Sequence, residues 1–205
     1  MSKTQLLPCF KRRFWNYASI ELAIMDNLEI LKKYVANQNL IKHCLAVKVI
    51  MEGLAEYFGE DKERWGTAGL LHDIDYEKTK DDPSQHSLVG AQMLEELGFD
   101  KDICQAVRVH NEAHEIKPET SMEKALYVSD PLSGLIVAAT LVLPSKKIAD
   151  LTVDNVLNRF GEKSFARGAN REIIRKCEEL LNLSLTDFIA IGLRAMQKIS
   201  AELGL

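Results

Sequence analysis

The stretch GLLHDID, residues 69–75, places a histidine directly before an aspartate at the end of a predicted helix. Trp65, Ala68, Gly69 and His72 lie at relative positions 0, 3, 4 and 7. Residues at these spacings share one helix face, and a face that carries apolar side chains turns toward the protein core. The pattern therefore predicts that the imidazole of His72 points into the interior.

Three more histidines occupy comparable positions in neighbouring predicted helices. His43 lies four residues before Val47, His86 begins the apolar stripe of a third helix, and His110 ends the stripe of a fourth. Burying several polar rings is costly unless each finds a partner, and a shared metal site would satisfy all of them. A single buried histidine is more often a hydrogen-bonded core residue, so that alternative stays open for each ring taken alone.

Six residues between positions 43 and 130 carry the pattern: His43, His72, Asp73, His86, His110 and Asp130. Their order resembles the signature of the HD superfamily of metal-dependent phosphohydrolases, in a group known mostly as predicted hydrolases. GLLHDID is similar to the core helix of the HDIG-type branch, although Asp75 stands where that branch usually has glycine. The resemblance implies an all-α fold and spans residues 27–205.

The resemblance also implies two ligand groups that share Asp73: His43, His72, Asp73 and Asp130 for one metal, and Asp73, His86 and His110 for the other. Imidazole nitrogen and carboxylate oxygen suit Fe, Mn, Co, Ni or Zn, so we expect one or two divalent transition metal ions. The expected reaction is attack of a metal-activated hydroxide on a phosphoester. Asp73 and His72 are the predicted catalytic residues.

Substrate contacts are predicted from charge and position. His114 follows the fourth helix histidine and is expected either to line the pocket or to lie at the surface. Lys78 and Lys146 are predicted phosphate contacts, although an exposed lysine is the more common finding. Asp75 and Glu112 are candidate proton donors to the leaving oxygen, with a solvated carboxylate as the alternative for each.

Composition suggests the setting in which the protein works. The formal net charge is −4, which predicts that no nucleic acid polymer is a partner. The family resemblance, and not a base-binding motif, favours a small phosphorylated substrate such as a nucleotide. The four cysteines form no C-x-x-C pair, so we expect free thiols in a reducing cytoplasm. The longest apolar run, Leu135–Leu143, has nine residues against the roughly 20 that a spanning helix needs, so no membrane partner is expected.

The expected architecture is a single-domain, all-α HD-domain helical bundle over residues 27–205, with its C-terminal helices packed on it. Residues 1–26 are predicted to form an N-terminal helical extension. The predicted helices span residues 11–36, 40–58, 61–73, 84–97, 101–112, 121–143, 152–160, 170–181 and 185–203. Pro131 should kink or break the sixth of these, because proline lacks the backbone donor that a helix interior uses.

Three alternatives remain at this stage. The stripe of Phe188, Ile191, Met196 and Ile199 on the last helix indicates core packing or, alternatively, a homodimer contact. The ligand set would also suit a di-iron HD-fold oxygenase. A non-catalytic nucleotide-sensing module is the third alternative, although a site that has lost its activity has no physical reason to keep six polar residues at the spacing of metal ligands.

Overall fold

The computed structural model describes residues 26–205, and this part of the chain is all-helical, as predicted, with no strand among its residues. The α-helices are α1 Asn27–Tyr34, α2 Gln38–Phe58, α3 Lys62–Leu71, α4 Tyr76–Thr79, α5 Leu88–Leu97, α6 Lys101–Val109, α7 Ser121–Leu141, α8 Val153–Gly161, α9 Arg171–Arg175, α10 Cys177–Leu180, α11 Leu185–Gln197 and α12 Ser200–Leu203. Three 3-10 turns cover Pro83–Gln85, Glu112–His114 and Ile148–Asp150. Over residues 26–205, no helix is both long and apolar enough to cross a bilayer.

The predicted N-terminal extension falls almost entirely outside the described residues, since the structure covers only the last of its positions, Asp26. Its helical character and the division of the chain at residue 26 stay predictions. The predicted helix over 11–36 can be compared only in its second half, where α1 covers Asn27–Tyr34.

Helix α2 is the centre of the bundle, with α3, α7 and α11 packed around it. The contact between α2 and α3 is close at Gly69, where an added Cβ would lie 3.0 Å from the backbone N and Cα of Lys48. Glycine at this position lets the two helix backbones approach each other. The approach holds the end of α3, and therefore His72, against the first half of α2, where His43 lies.

Local signals in the sequence set several helix ends. Gly59 adopts a left-handed φ of 72° at the end of α2, a conformation that glycine reaches without steric cost. Asp61 then caps α3, and its carboxylate accepts hydrogen bonds from the backbone N–H groups of Glu63 and Arg64 at 2.9 and 3.1 Å. These two residues fix the tight turn that joins α2 to α3.

The start of α5 differs from the prediction. The helix begins at Leu88, so His86 lies in the turn before it and not on a helix face. Ser84 does not cap this helix. The carboxylate of Asp75 does so instead, since it accepts from the backbone N–H groups of Ser87 and Gly90, both at 2.9 Å. A partner more than ten residues away in the sequence thus replaces the local cap.

Two later segments also differ in detail. Helix α7 continues through Pro131 over its full length, so of the predicted kink or break the break does not occur. The last predicted helix is divided between α11 and α12. The side chains of Phe188 and Met196 are fully buried within the protomer, so core packing accounts for these two residues of the apolar stripe, and the homodimer contact stays a prediction.

Candidate metal centre

The six predicted ligands converge at one place from five parts of the bundle. His43 lies within α2, His72 and Asp73 follow the last residue of α3, and the other three come from the turn before α5, the end of α6 and the middle of α7. Three overlapping groups each bring their ligand atoms within 4.8 Å of one another: His43, His72 and Asp73; His72, His110 and Asp130; and Asp73, His86 and His110.

Asp73 lies at the centre of this cluster. Its Oδ1 is 3.4 Å from Nε2 of His72, 3.2 Å from Nε2 of His86 and 3.6 Å from Nε2 of His110. Its Oδ2 faces the other way and lies 3.6 Å from Nε2 of His43. The two carboxylate oxygens therefore face different sets of imidazoles, which is the arrangement that a bridging ligand requires.

Asp130 closes the opposite side of the cluster. Its Oδ1 lies 3.1 Å from Nε2 of His43 and 3.8 Å from Nε2 of His72. The Nε2 atoms of these two rings are themselves 3.2 Å apart. Two imidazole nitrogens with lone pairs repel at this distance, so the geometry calls for a proton or a cation between them.

The two most buried rings are held by their own helices. Nδ1 of His72 donates to the carbonyl of Gly69 at 2.8 Å, and Nδ1 of His110 donates to the carbonyl of Val107 at 2.6 Å. In both cases the acceptor is a carbonyl in the last turn of the helix, three residues before the histidine. With the proton on Nδ1, each ring presents the lone pair of Nε2 to the cluster.

The other two rings are held by side chains. Nδ1 of His86 donates to Oδ1 of Asp75 at 3.0 Å. The Ser133 hydroxyl donates to the backbone carbonyl of Asp130 at 2.9 Å, so its oxygen can accept from Nδ1 of His43 at 3.0 Å. All four imidazoles therefore have Nδ1 engaged outside the cluster and Nε2 free inside it, as metal-binding histidines commonly do.

A divalent cation fits this donor set. Among the described residues, Nε2 of His110 is fully buried and has no hydrogen-bond partner. A buried polar nitrogen without a partner is destabilising by about 1–3 kcal/mol, and a metal–nitrogen bond would remove that cost. Because the donors are nitrogen and carboxylate oxygen without sulfur, they suit the divalent transition metals.

The carboxylates favour positive charge at this centre. Burial raises the pKa of Asp73, but His72 and the other nearby imidazoles outweigh it and hold the pKa well below its usual value. The pKa of Asp130 is likewise low, because His43 and His72 outweigh its burial. Burial lowers the pKa of His72, yet Asp73 and Asp130 raise it to about 9 overall. The site thus stabilises cations, whether protons or metal ions.

Comparison with known proteins bears on what this centre is. The sequence profile of the HD domain family matches residues 40–139, which include all six residues of the cluster. The chain belongs to the HD domain family. This family consists of metal-dependent phosphohydrolases, and the predicted family and fold class are both confirmed.

Curated relatives extend the match beyond the HD domain itself. A ribonuclease Y of Lawsonia intracellularis is 30% identical over 155 residues, which cover 74% of this chain and 29% of that protein. A ribonuclease Y of Nitratidesulfovibrio vulgaris is 31% identical over 142 residues, 67% of this chain and 27% of that protein. An uncharacterized protein of Methanocaldococcus jannaschii is 32% identical over 169 residues, 76% of this chain and 95% of that protein. No solved structure matches the chain.

The first two relatives correct one prediction. The chain spans less than a third of their length, and their name designates an enzyme that acts on RNA. The exclusion of nucleic acid polymers as partners of this HD domain is therefore wrong. It was inferred from a net charge of −4, but the net charge of a chain does not fix the local potential at its binding site.

The three residues predicted for substrate binding belong to none of the close groups of ligand atoms. Nε2 of His114 donates to the backbone carbonyl of His86 at 2.6 Å, so its ring supports the turn that carries a candidate ligand. Lys78 is exposed, with its ammonium 5.6 Å from the ring centre of Tyr34. Lys146 is also exposed, in the segment after α7. Their role in substrate binding stays a prediction.

The two candidate proton donors are engaged within the protein. Asp75 was expected to be solvated or to face the leaving oxygen, but it is fully buried and bound to the turn around His86. Glu112 is exposed and accepts from the side-chain amide of Asn170 at 2.8 Å. Asp75 therefore supports a ligand ring and does not face the cluster.

Sequence reasoning missed the two side chains that orient His86 and His43. Asp75 was noticed only because it replaces the glycine of the HDIG-type branch, and its partner lies 11 residues away in the chain. Ser133 is separated from His43 by 90 residues and lies in an apolar helix. A carboxylate two residues after the His-Asp pair was a usable signal for the first, whereas no local pattern indicates the second.

Proposed function

We propose that this HD domain protein is a two-metal phosphohydrolase that cleaves a phosphoester of a ribonucleotide, either as a free nucleotide or as part of RNA. The observation that carries the proposal is the convergence of four Nε2 atoms on two carboxylates, with every Nδ1 engaged on the outside. An ordinary core histidine does not need this arrangement, whereas a metal ligand does.

The proposed ligands form two groups that share Asp73: His43, His72, Asp73 and Asp130 in one, and Asp73, His86 and His110 in the other. The close groups of ligand atoms support this division, although one of them, with His72, His110 and Asp130, crosses it. When bound, paired divalent metals lower the pKa of a shared water and bind the phosphate oxygens. We propose Asp73 and His72 as the residues on which catalysis depends most.

The side chains around the cluster have three separate tasks in this proposal. The four Nδ1 hydrogen bonds fix the ring orientations before substrate arrives, so little reorganisation is needed during the reaction. The buried rings of His72 and His110 exclude water from the inner side of the cluster. Asp130 and His43 are partly exposed, with 34% and 26% of their side-chain surface accessible, so substrate approaches from their side.

We base the proposed substrate class on the names of the relatives. The ribonuclease Y proteins act on RNA by name, which favours a ribonucleotide phosphoester over other phosphorylated molecules. The match covers 95% of the relative from Methanocaldococcus jannaschii. That protein therefore lacks most of the additional length that the ribonuclease Y proteins have. We therefore propose that the activity needs only the helices described above.

The test combines metal analysis with a substrate screen. The protein is purified without chelator, its metals are counted by mass spectrometry, and it is assayed on ribonucleotides, linear and cyclic dinucleotides and a short RNA. We expect one to two transition metal ions per chain. Asp73→Asn should lower kcat/KM by at least about a hundredfold, because the metals supply several kcal/mol of transition-state stabilisation.

Asp81→Asn is the matched control, because it makes the same change at an exposed position in the loop after α4. It should behave as wild type. Comparable hydrolysis by wild type and Asp73→Asn would refute the proposed mechanism. Loss of activity under argon, with substrate consumed only when oxygen is present, would instead identify an oxygenase. Retention of phosphoester cleavage without oxygen supports hydrolysis.

A further inference from the structure

A cavity of about 260 Å³ opens directly beside the candidate metal centre. His43 and Asp130 form one side of it, and Gly134, one turn further along α7, extends this side. Ala166 and Gly168, from the segment between α8 and α9, form the facing wall. The cavity therefore adjoins the cluster on its exposed side, where substrate has to approach.

The far part of this cavity is lined by small, uncharged residues. Apart from His43 and Asp130, its lining consists of Pro131, Gly134, Ala166, Gly168 and Ala169. None of these offers a cation for a second phosphate or an aromatic ring for stacking. Its volume is also below the roughly 300–1,000 Å³ of pockets that enclose drug-sized ligands. The cavity thus suits one neutral group of modest size that is attached to a phosphate at the metals.

Two glycines keep this space open. A Cβ added to Gly134 or to Gly168 would meet no atom within 4 Å. Gly134 lies within α7, where glycine is less favourable than alanine by about 1 kcal/mol and no positive φ requires it. Because Gly134 lines the cavity, a larger side chain at this position would occupy part of that space.

The facing wall is firmly held. The guanidinium of Arg171 donates to the carbonyl oxygens of Phe160, Phe165 and Ala169 at 2.9, 2.5 and 3.2 Å, and it reaches three further carbonyls between residues 159 and 166. Ala166 is thereby held at a left-handed φ of 42°, which is unfavourable for a residue with a side chain. The matched HD profile ends at residue 139, so this wall lies outside the family's shared segment.

We propose that this cavity binds the nucleoside attached to the reacting phosphate, and that Gly134 sets the size of the group that it accepts. The assignment rests on the proposed function, since the phosphate must lie at the metals for its substituent to reach the cavity. It adds to that function a specificity-determining residue, Gly134, which does not touch the metal cluster.

The test uses binding, so that it does not depend on turnover. Wild type and Gly134→Leu are loaded with Mn²⁺ and titrated by calorimetry with inorganic phosphate and with uridine 5′-monophosphate. Phosphate reports on the metals alone, whereas the nucleotide reports on the metals and the cavity together. We expect Gly134→Leu to weaken nucleotide binding at least about tenfold, in the range that a changed pocket contact gives, and to leave phosphate binding unchanged.

Gly161→Leu is the matched control, because Gly161 also lies in a helix with no atom within 4 Å of an added Cβ, but does not line the cavity. It should bind both probes as wild type does. If wild type binds phosphate but gains nothing from the uridine, or if Gly134→Leu binds the nucleotide normally, the nucleoside subsite is refuted and the proposed function stands. Failure of metal-loaded wild type to bind phosphate would instead overturn the proposed function and the subsite with it.

Discussion

Replacement of Asp75 by asparagine tests whether a residue outside the ligand set controls one of the proposed metals. The Asp75 carboxylate accepts three hydrogen bonds, from Nδ1 of His86 at 3.0 Å and from the backbone N–H groups of Ser87 and Gly90 at 2.9 Å each. Asparagine has nearly the same shape but only one acceptor oxygen. Its amide nitrogen must therefore face at least one of the three donors.

The structure allows the size of the effect to be worked out. Asp75 is fully buried, so a donor that loses its acceptor gains no water in exchange and lowers the free energy of unfolding by about 1–3 kcal/mol. Loss of the carboxylate behind a ligating imidazole weakens metal binding by about 10–100-fold. The metal affinity should fall at the ligand group that contains His86 and stay unchanged at the ligand group that contains His43.

Equilibrium dialysis against Mn²⁺ separates the two groups, and urea denaturation of the chelated protein measures the stability. We expect Asp75→Asn to bind the first metal as wild type does and the second about 10–100-fold more weakly. Asp81→Asn, at an exposed position in the neighbouring loop, removes the same charge and should change neither value. Two metals bound by Asp75→Asn with unchanged affinity would refute the role of Asp75 as the support of His86.

Two further predictions concern packing. Gly69→Ala should lower the free energy of unfolding by about 1–3 kcal/mol, because its Cβ would press on the backbone of Lys48. Gly134→Ala, with open space around its Cβ, should be neutral or stabilising. Urea denaturation of both variants measures this difference, and equal effects would contradict the prediction. Arg171→Lys should lower the free energy of unfolding by about 1–3 kcal/mol, because lysine cannot donate to several carbonyls at once. Arg167→Lys, at an exposed position, should change it by less than about 0.5 kcal/mol. A thermal melt of Arg171→Lys that matches wild type would contradict the second.

Short-range patterns were sufficient for most of the fold. The spacing from Trp65 to His72 predicted burial of these residues, which is observed, but α3 is buried on all sides from Trp65 to Leu71 and not on one face only. Gly59 and Asp61 marked the turn between two helices. These features depend on residues within about two helical turns of one another, so the sequence displays them directly. The convergence of the histidines was expected from the same reasoning, because each ring lies on, or next to, an apolar stripe.

Long-range contacts account for what was missed. The sequence offers Ser84 as a local cap, but the carboxylate of Asp75, directly before α4, takes that role and the helix starts at Leu88. The break expected at Pro131 is absent because α7 packs against α2 and α6, and tertiary packing overrides the local cost of proline. No pattern within a single segment contains this information.

The partners of the four Nδ1 atoms divide the centre into a fixed half and an open half. His72 and His110 are held by carbonyls of their own helices, and their side chains are 0% and 1% exposed. His43 and His86 are held by side chains and are 26% and 20% exposed. The side-chain partners Asp75 and Ser133 are themselves buried, so the two halves differ mainly in how exposed their rings are. Any adjustment to substrate should therefore occur in the open half, and there His43 lines the cavity beside the cluster.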